Sequence, residues 1–133
     1  MNQDEEHLRL LSIFHYVVGG ITALFACFPF IHLAVGIGLI SGAFPTGPGQ
    51  ESPPLWAGWL FIVIASVMIF IGWALAVAVL VAGKFFGRHD HYMYCFVVAA
   101  IECLLMPFGT VLGVFTIIVL SRPSVKALFQ SVG

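Results

Sequence analysis

The sequence predicts an all-α fold, an integral membrane bundle of hydrophobic helices, and three observations predict it. Hydrophobic residues make up 61% of the 133-residue chain and charged residues 8%, whereas a soluble domain carries roughly 25% charged residues to clothe its surface. The few charges are segregated. Between Phe14 and Gly83 the only one is Glu51, and between His91 and Ser121 the only one is Glu102. The resulting stretches 14–42, 55–83 and 92–120 each exceed the ~20 apolar residues that span a bilayer. Residues 1–133 are therefore expected to form a single multi-pass membrane domain whose first partner is lipid. The net charge of −1 offers no basic face to a nucleic acid.

Residues 1–13 read as an amphipathic lead-in that runs into the first stretch, with Leu8, Leu11 and Ile13 towards lipid and Asp4, Glu6 and Arg9 towards water. Asp4, Glu5 and Glu6 stand where a signal peptide would be positive, so no cleavable leader is expected. Pro29 removes a backbone donor in mid-stretch and should kink it. Residues 43–54 hold four prolines and two glycines and must be a loop. The second stretch, 55–83, ends at a connection, 84–91, that contains Lys84 and Arg88. The loop 43–54 has no Lys or Arg, so it is expected outside, with the connection and the N-terminus cytoplasmic. Trp56 and Trp59 would anchor the outer interface, and Tyr16, Tyr92 and Tyr94 the inner one.

A single crossing of 92–120 would leave Arg122 and Lys126 of the tail, 121–133, outside. Proline and glycine at 107–110, with Thr110 as an N-cap, predict instead that the third stretch breaks into a helical hairpin, giving four helices. The alternative is three transmembrane helices. The segment Pro107-Phe108-Gly109-Thr110-Val111-Leu112-Gly113, followed by Ser124-Val125-Lys126-Ala127-Leu128-Phe129, resembles the C-terminal signature, P-x-G-T-x-L-G then V-K-x-L-F, of a broad set of small bacterial membrane proteins. The opening Leu8–Gly20 is similar more loosely. The resemblance implies a bacterial inner-membrane location and about four short helices, and carries no activity.

Helices associate in lipid through close packing of small residues. Gly19, Thr22 and Ala26 share a face with His15 and Pro29. Gly58, Ala65, Gly72, Ala76 and Gly83 share another, and Cys95, Ala99, Glu102 and Met106 a third, which Gly109 and Gly113 continue if the helix is unbroken. Cys27, Cys95 and Cys103, odd in number and set in apolar runs, are expected as reduced packing residues.

Glu102 is the leading functional candidate, because an intramembrane carboxylate usually faces a protein interior. Depth counted along the helices offers Thr22 as its partner. Glu102 then serves a proton or cation pathway, or is a protonated group bonded to a neighbouring helix. His15, near the inner interface, is explained by solvation or a helix-end contact, and the deeper His32, level with Ser66, by a structural hydrogen bond. A haem or metal redox role for His15 and His32 lacks opposed ligands. His89, Asp90 and His91 are weak metal candidates without a fourth ligand. No nucleophile elbow or phosphate loop is present. The expectation is a non-enzymatic structural, accessory or oligomer-forming subunit, without a cofactor, whose partners are copies of itself or another membrane protein.

Overall fold

The computed structural model describes residues 3–104 and 108–132. Its elements are all helices: α1 (Gln3–Cys27), α2 (Pro29–Ser41), α3 (Leu55–Arg88), α4 (Tyr92–Glu102), α5 (Phe108–Leu120) and α6 (Pro123–Val132). Pro107, within the expected break, and Met106, on the third small-residue face, lie outside the described residues.

Each boundary has a local cause. Asp4, Glu5 and Glu6 fill the first turn of α1, where carboxylates complement the helix dipole. Pro29 cannot donate, so the turn tightens and the Phe28 N–H bonds Phe25 O at 3.1 Å before α2 begins. Gly42, with φ of 70°, ends α2 in the left-handed region, and its N–H returns to Gly38 O; glycine adopts that geometry without a Cβ clash. α3 runs on to Arg88, so most of the expected connection 84–91 is helical. Only His89–His91 turn the chain. His89 and His91 both have positive φ, and the Asp90 N–H closes the helix end on Phe85 O at 3.0 Å. By length and composition, two helices among the described residues are able to cross a membrane, Gln3–Ser41 taken together and Leu55–Arg88. The pair Gly109–Leu120 and Pro123–Ser131, bent by 79°, makes a third if counted as one broken span.

The chain divides into two compact units, Thr22–Ala74 and the remainder, Met1–Ile21 with Leu75–Gly133. In the first of these, Gly72 lies against Ala26, and Gly36 and Gly58 meet so closely that a Cβ on Gly58 would stand 3.2 Å from Gly36 O.

The other unit holds a core of Leu8, Leu11, Val79, Phe86, Leu120 and Phe129 with their neighbours. The lead-in is thus not a lipid-facing ramp. Leu8 and Leu11 are fully buried, and only Ile13 is exposed. α4 and α5 form an antiparallel hairpin, tied at its open end by Tyr92 OH donating to Leu120 O at 2.8 Å. Near the turn, Thr110 Oγ1 donates to Cys103 O at 2.7 Å. Thr110 therefore sits inside the first turn of α5 and gives its proton to the end of α4, rather than capping the new helix. The tail is also helical. Pro123 opens α6, a position that suits its missing N–H, and Val125 and Phe129 are buried one turn apart. Phe129 meets Phe86, His89 and Tyr92 edge-on, which seats α6 on this unit.

Gly113 sets the hairpin spacing. A Cβ there would stand 2.6 Å from Ala99 O and 2.9 Å from Cys103 N, both backbone atoms that cannot swing aside. Gly113→Ala should lower stability by about 1–3 kcal/mol, the usual cost of overpacking. Gly20→Ala, at a helical position with nothing within 4 Å, should be neutral or gain up to about 1 kcal/mol from helix propensity. Thermal unfolding in detergent, followed by circular dichroism, compares the two; equal midpoints would remove Gly113 as the spacing element.

Candidate functional site: a buried histidine–glutamate pair

α1 carries Leu8, Leu11, Ser12, His15 and Gly19 on one buried face, and α4 carries Cys95, Val98, Ala99 and Glu102 on another. The depths at which these faces meet are set at the far end of the unit. Arg122 lies 3.5 Å from Asp4, and two residues earlier Leu120 holds Tyr92. Asp4 and Tyr92 thus start at one level. At ~1.5 Å per residue, His15 lies about 16 Å below Asp4 and Glu102 about 15 Å below Tyr92. The two side chains meet there. His15 Nε2 is 3.0 Å from Glu102 Oε2, and both side chains are 0% exposed.

The other ring nitrogen fixes the chemistry. His15 Nδ1 lies 2.7 Å from Leu11 O. A carbonyl can only accept, so Nδ1 carries a hydrogen and donates it. Nε2 then has either a lone pair or a second proton to offer the carboxyl. Two acceptors cannot hold one another at 3.0 Å, so the contact requires one proton between Nε2 and Oε2. Imidazolium facing carboxylate and neutral imidazole facing carboxylic acid both satisfy it, and in each the pair is neutral overall. The atoms are close but not aligned as a hydrogen bond, and Glu102 Oε1 has no partner among the described residues. At 3.0 Å a second acceptor would be repulsive, so the separation itself calls for the proton.

The surroundings are apolar. The His15 ring lies on Phe86, with centroids 4.7 Å apart. Gly83 lets α1 approach: a Cβ there would stand 3.3 Å from His15 Cβ, and Ser12 Oγ donates to Gly83 O at 2.6 Å. Thr116, also fully buried, spends its hydroxyl on Leu112 O at 2.7 Å.

The remaining candidates fall elsewhere. Thr22 is half-buried and belongs to the unit Thr22–Ala74; the partner that Glu102 finds is His15. The depth count missed this because it began at Phe14, whereas α1 enters the unit three turns earlier. His15 is accordingly buried in protein rather than solvated. His32 and Ser66 are exposed, and His32 stacks on Phe61 at 6.3 Å rather than lying in a hydrogen-bonded interior. Cys27 is exposed, Cys103 half-buried and Cys95 buried, and all three are free thiols. Gly19, Gly58, Ala65, Ala99, Gly109 and Gly113 are buried, and Gly72 is half-buried. His91 pairs with Asp90 at 3.0 Å and stacks on Phe85, while His89 packs on Phe129. Among the described residues no three His, Cys, Asp or Glu side chains gather around a metal-sized position.

Comparisons with known protein families, with curated proteins and with solved structures returned no match to this chain.

Removing one partner of a buried pair strands the other. Glu102→Ala should cost about 3 kcal/mol or more, read as a lowered thermal midpoint in detergent. Glu102→Gln should fall closer to the parent, because its amide N–H takes the place of the shared proton. The double variant His15→Phe with Glu102→Leu should recover much of the loss by replacing both polar groups together. A Glu102→Ala protein as stable as the parent would remove the pair as a structural element.

Proposed function

We propose that the chain is a non-enzymatic, multi-pass protein of the bacterial inner membrane that acts as a packing subunit, assembling with further copies of itself. The membrane placement is carried by one observation, the position of its cations. Its five Lys and Arg residues all belong to a single unit and gather towards one end of it. Arg122 contacts Asp4 at the start of α1, Arg9 shares a groove with Gly87 and His89, Lys84 and Arg88 occupy the last turns of α3, and Lys126 lies on α6. The positive-inside rule makes that end cytoplasmic. The Pro/Gly loop has no Lys or Arg, and the exposed Trp56 and Trp59 beside it suit the outer interface.

On this reading α1–α2 and α3 cross fully, and the α4–α5 hairpin is re-entrant. Its arms of 11 and 13 residues reach about 16–20 Å, roughly half to two-thirds of a ~30 Å hydrocarbon core. A turn at that depth is tolerated where it is packed in protein. Both chain ends then face the cytoplasm, and Arg122 and Lys126 obey the charge rule.

Assembly is supported by the outward surface of α1. Gly20 is exposed and meets nothing within 4 Å. Cys27 follows seven residues later, also exposed, with Ala23 between, a small-residue spacing that suits helix association in lipid. Phe25, at 73% exposure, flanks it with the aromatic surface common at interfaces.

Reporter fusions should place both chain ends in the cytoplasm and a tag inserted in 43–54 outside; a periplasmic C-terminus refutes the re-entrant hairpin. Native mass spectrometry from nanodiscs should show an oligomer that Gly20→Leu weakens by about tenfold or more in dissociation constant, the equivalent of ~1.4 kcal/mol. A strictly monomeric parent refutes the subunit reading.

A second reading, a proton or ion pathway through Glu102, is favoured by the His15–Glu102 contact, since paired ionisable groups in a membrane interior are the usual elements of proton relays. Proteoliposomes carrying the parent should dissipate an imposed pH gradient faster than those carrying Glu102→Gln, and equal rates end this reading. A haem held by His15 is disfavoured by the same contact, because Nε2, the nitrogen left for an iron, is committed to Glu102.

A further inference from the structure

We propose that His15 and Glu102 form a single-proton binding site that is loaded from the cation-rich end of the bundle past the ring of Phe86. The inference rests on the pair's geometry and requires neither an oligomer nor net transport.

Two observations carry it. Both members of the pair are wholly buried, and three of their polar atoms, His15 Nε2 and both oxygens of Glu102, lack an aligned hydrogen-bond partner among the described residues. A salt bridge built only for stability would be expected to satisfy such atoms with further donors. Here no further donor reaches them among the described residues, and a proton relieves the contact. The second observation is a route. A groove of about 560 Å³ opens between α1 and the end of α3, lined by Glu5, Arg9, Ser12, Phe86, Gly87 and His89. Phe86 borders this groove, and its fully buried ring carries the His15 ring at 4.7 Å, so one residue stands between the groove and the pair. Glu5, Arg9 and His89 are among its lining, and Gly87 contributes no side chain that would fill it.

The ligand is a proton, and its balance is simple. Unloaded, the pair is a neutral imidazole beside a carboxylate, one net negative charge in an apolar interior. Loading takes one proton from a hydronium ion in the groove, which is left as water, and delivers it first to His15 Nε2, the member next to Phe86. The proton then lies between Nε2 and Oε2, with either heavy atom holding the covalent bond. Nδ1 keeps its own hydrogen on Leu11 O throughout, so the ring needs no flip. The loaded pair is neutral, and loss of the proton leaves two acceptors facing one another and α1 pushed away from α4.

The test uses the full chain in nanodiscs. Nitrogen NMR of labelled histidine and the infrared bands that disappear in Glu102→Gln together report the protonation of both members. The expected result is one shared proton, seen as imidazolium with carboxylate or as neutral imidazole with carboxylic acid. Its exchange into D₂O should outpace the backbone amides of α4. Exchange should be about tenfold faster in Phe86→Leu and about tenfold slower in Gly87→Leu, which fills the groove from an exposed helical position, each a change of ~1.4 kcal/mol in the opening. A pair that stays a neutral imidazole beside an ionised carboxylate at every pH at which the bundle remains folded overturns the proposal. So does a shared proton that exchanges no faster than those amides and is unmoved by Gly87→Leu, the variant that decides the matter if Phe86→Leu does not fold. A pair that exchanges in this way while proteoliposomes show no flux sinks the pathway reading and leaves the site standing.

Discussion

A carboxyl group that meets a ring nitrogen at 3.0 Å inside an apolar bundle stays there only with a proton between them, and that constraint reaches well beyond the two side chains. It demands that α1 and α4 meet at one depth and one rotation. The same register turns Leu8 and Leu11 into the core and brings Ser12 onto Gly83 O. About three turns away, Asp4 and Arg122 hold the other end of the same alignment. The inner contact is short and fully buried; the outer one is 3.5 Å long and partly exposed. Surface pairs contribute at most about 1 kcal/mol, whereas stranding one member of a buried pair costs several. The inner contact therefore sets the register, and the outer one follows it.

Glycine makes that register attainable. Apolar surface gives helices in lipid no reason to associate, so contact must come from backbones close enough for dispersion and polar contacts to act. Gly83 admits α1 at the level of His15, and Gly113 admits α5 at the level of Ala99 and Cys103. The two glycines lie on different helices and serve the same site: one brings the histidine in, and the other supports the short helix that ends on the glutamate. Gly20 resembles them in sequence and does none of this, since nothing approaches it. Residue type alone cannot separate a glycine used inside the fold from one left on its outer surface.

That distinction marks what was legible in the sequence. The all-helical character, the loop at 43–54 and the break before α5 follow from charge, proline and glycine, whose effects are local. The buried stations of Cys95, Ala99 and Glu102 follow from helical periodicity. The partner of Glu102 was not legible, because depth was counted from where the apolar run begins. A helix whose first three turns carry Asp4, Glu5, Glu6 and Arg9 reads as lying outside the apolar layer, yet its other face holds Leu8 and Leu11, and only tertiary contacts reveal that those turns are packed. α6 was missed for a related reason. Val125 and Phe129 are too few to signal a helix by themselves, and their value comes from Phe86, Tyr92 and His89, residues from other parts of the chain. His89 and His91 with positive φ gave no signal either, since such a backbone is expected at glycine.

The hairpin connects these points to function. Glu102 is the last residue of α4, and α5 starts only six residues later. At the end of a helix the final carbonyls lack intrahelical donors, so the environment of Glu102 differs from that of a carboxylate in mid-helix. On the re-entrant reading this helix end lies near the middle of the hydrocarbon layer, where water does not supply the missing donors. Thr110 answers part of the need by giving its hydroxyl hydrogen to Cys103 O. Among the described residues, Glu102 then has His15 as its partner from across the bundle. A carboxylic acid whose role was only to join helices would serve as well as a glutamine, which holds the same shape and never ionises. The presence of two titratable groups in contact, where one amide would suffice for packing, is the feature that packing leaves unexplained, and it is the physical reason for treating the site as a place where a proton is held and exchanged.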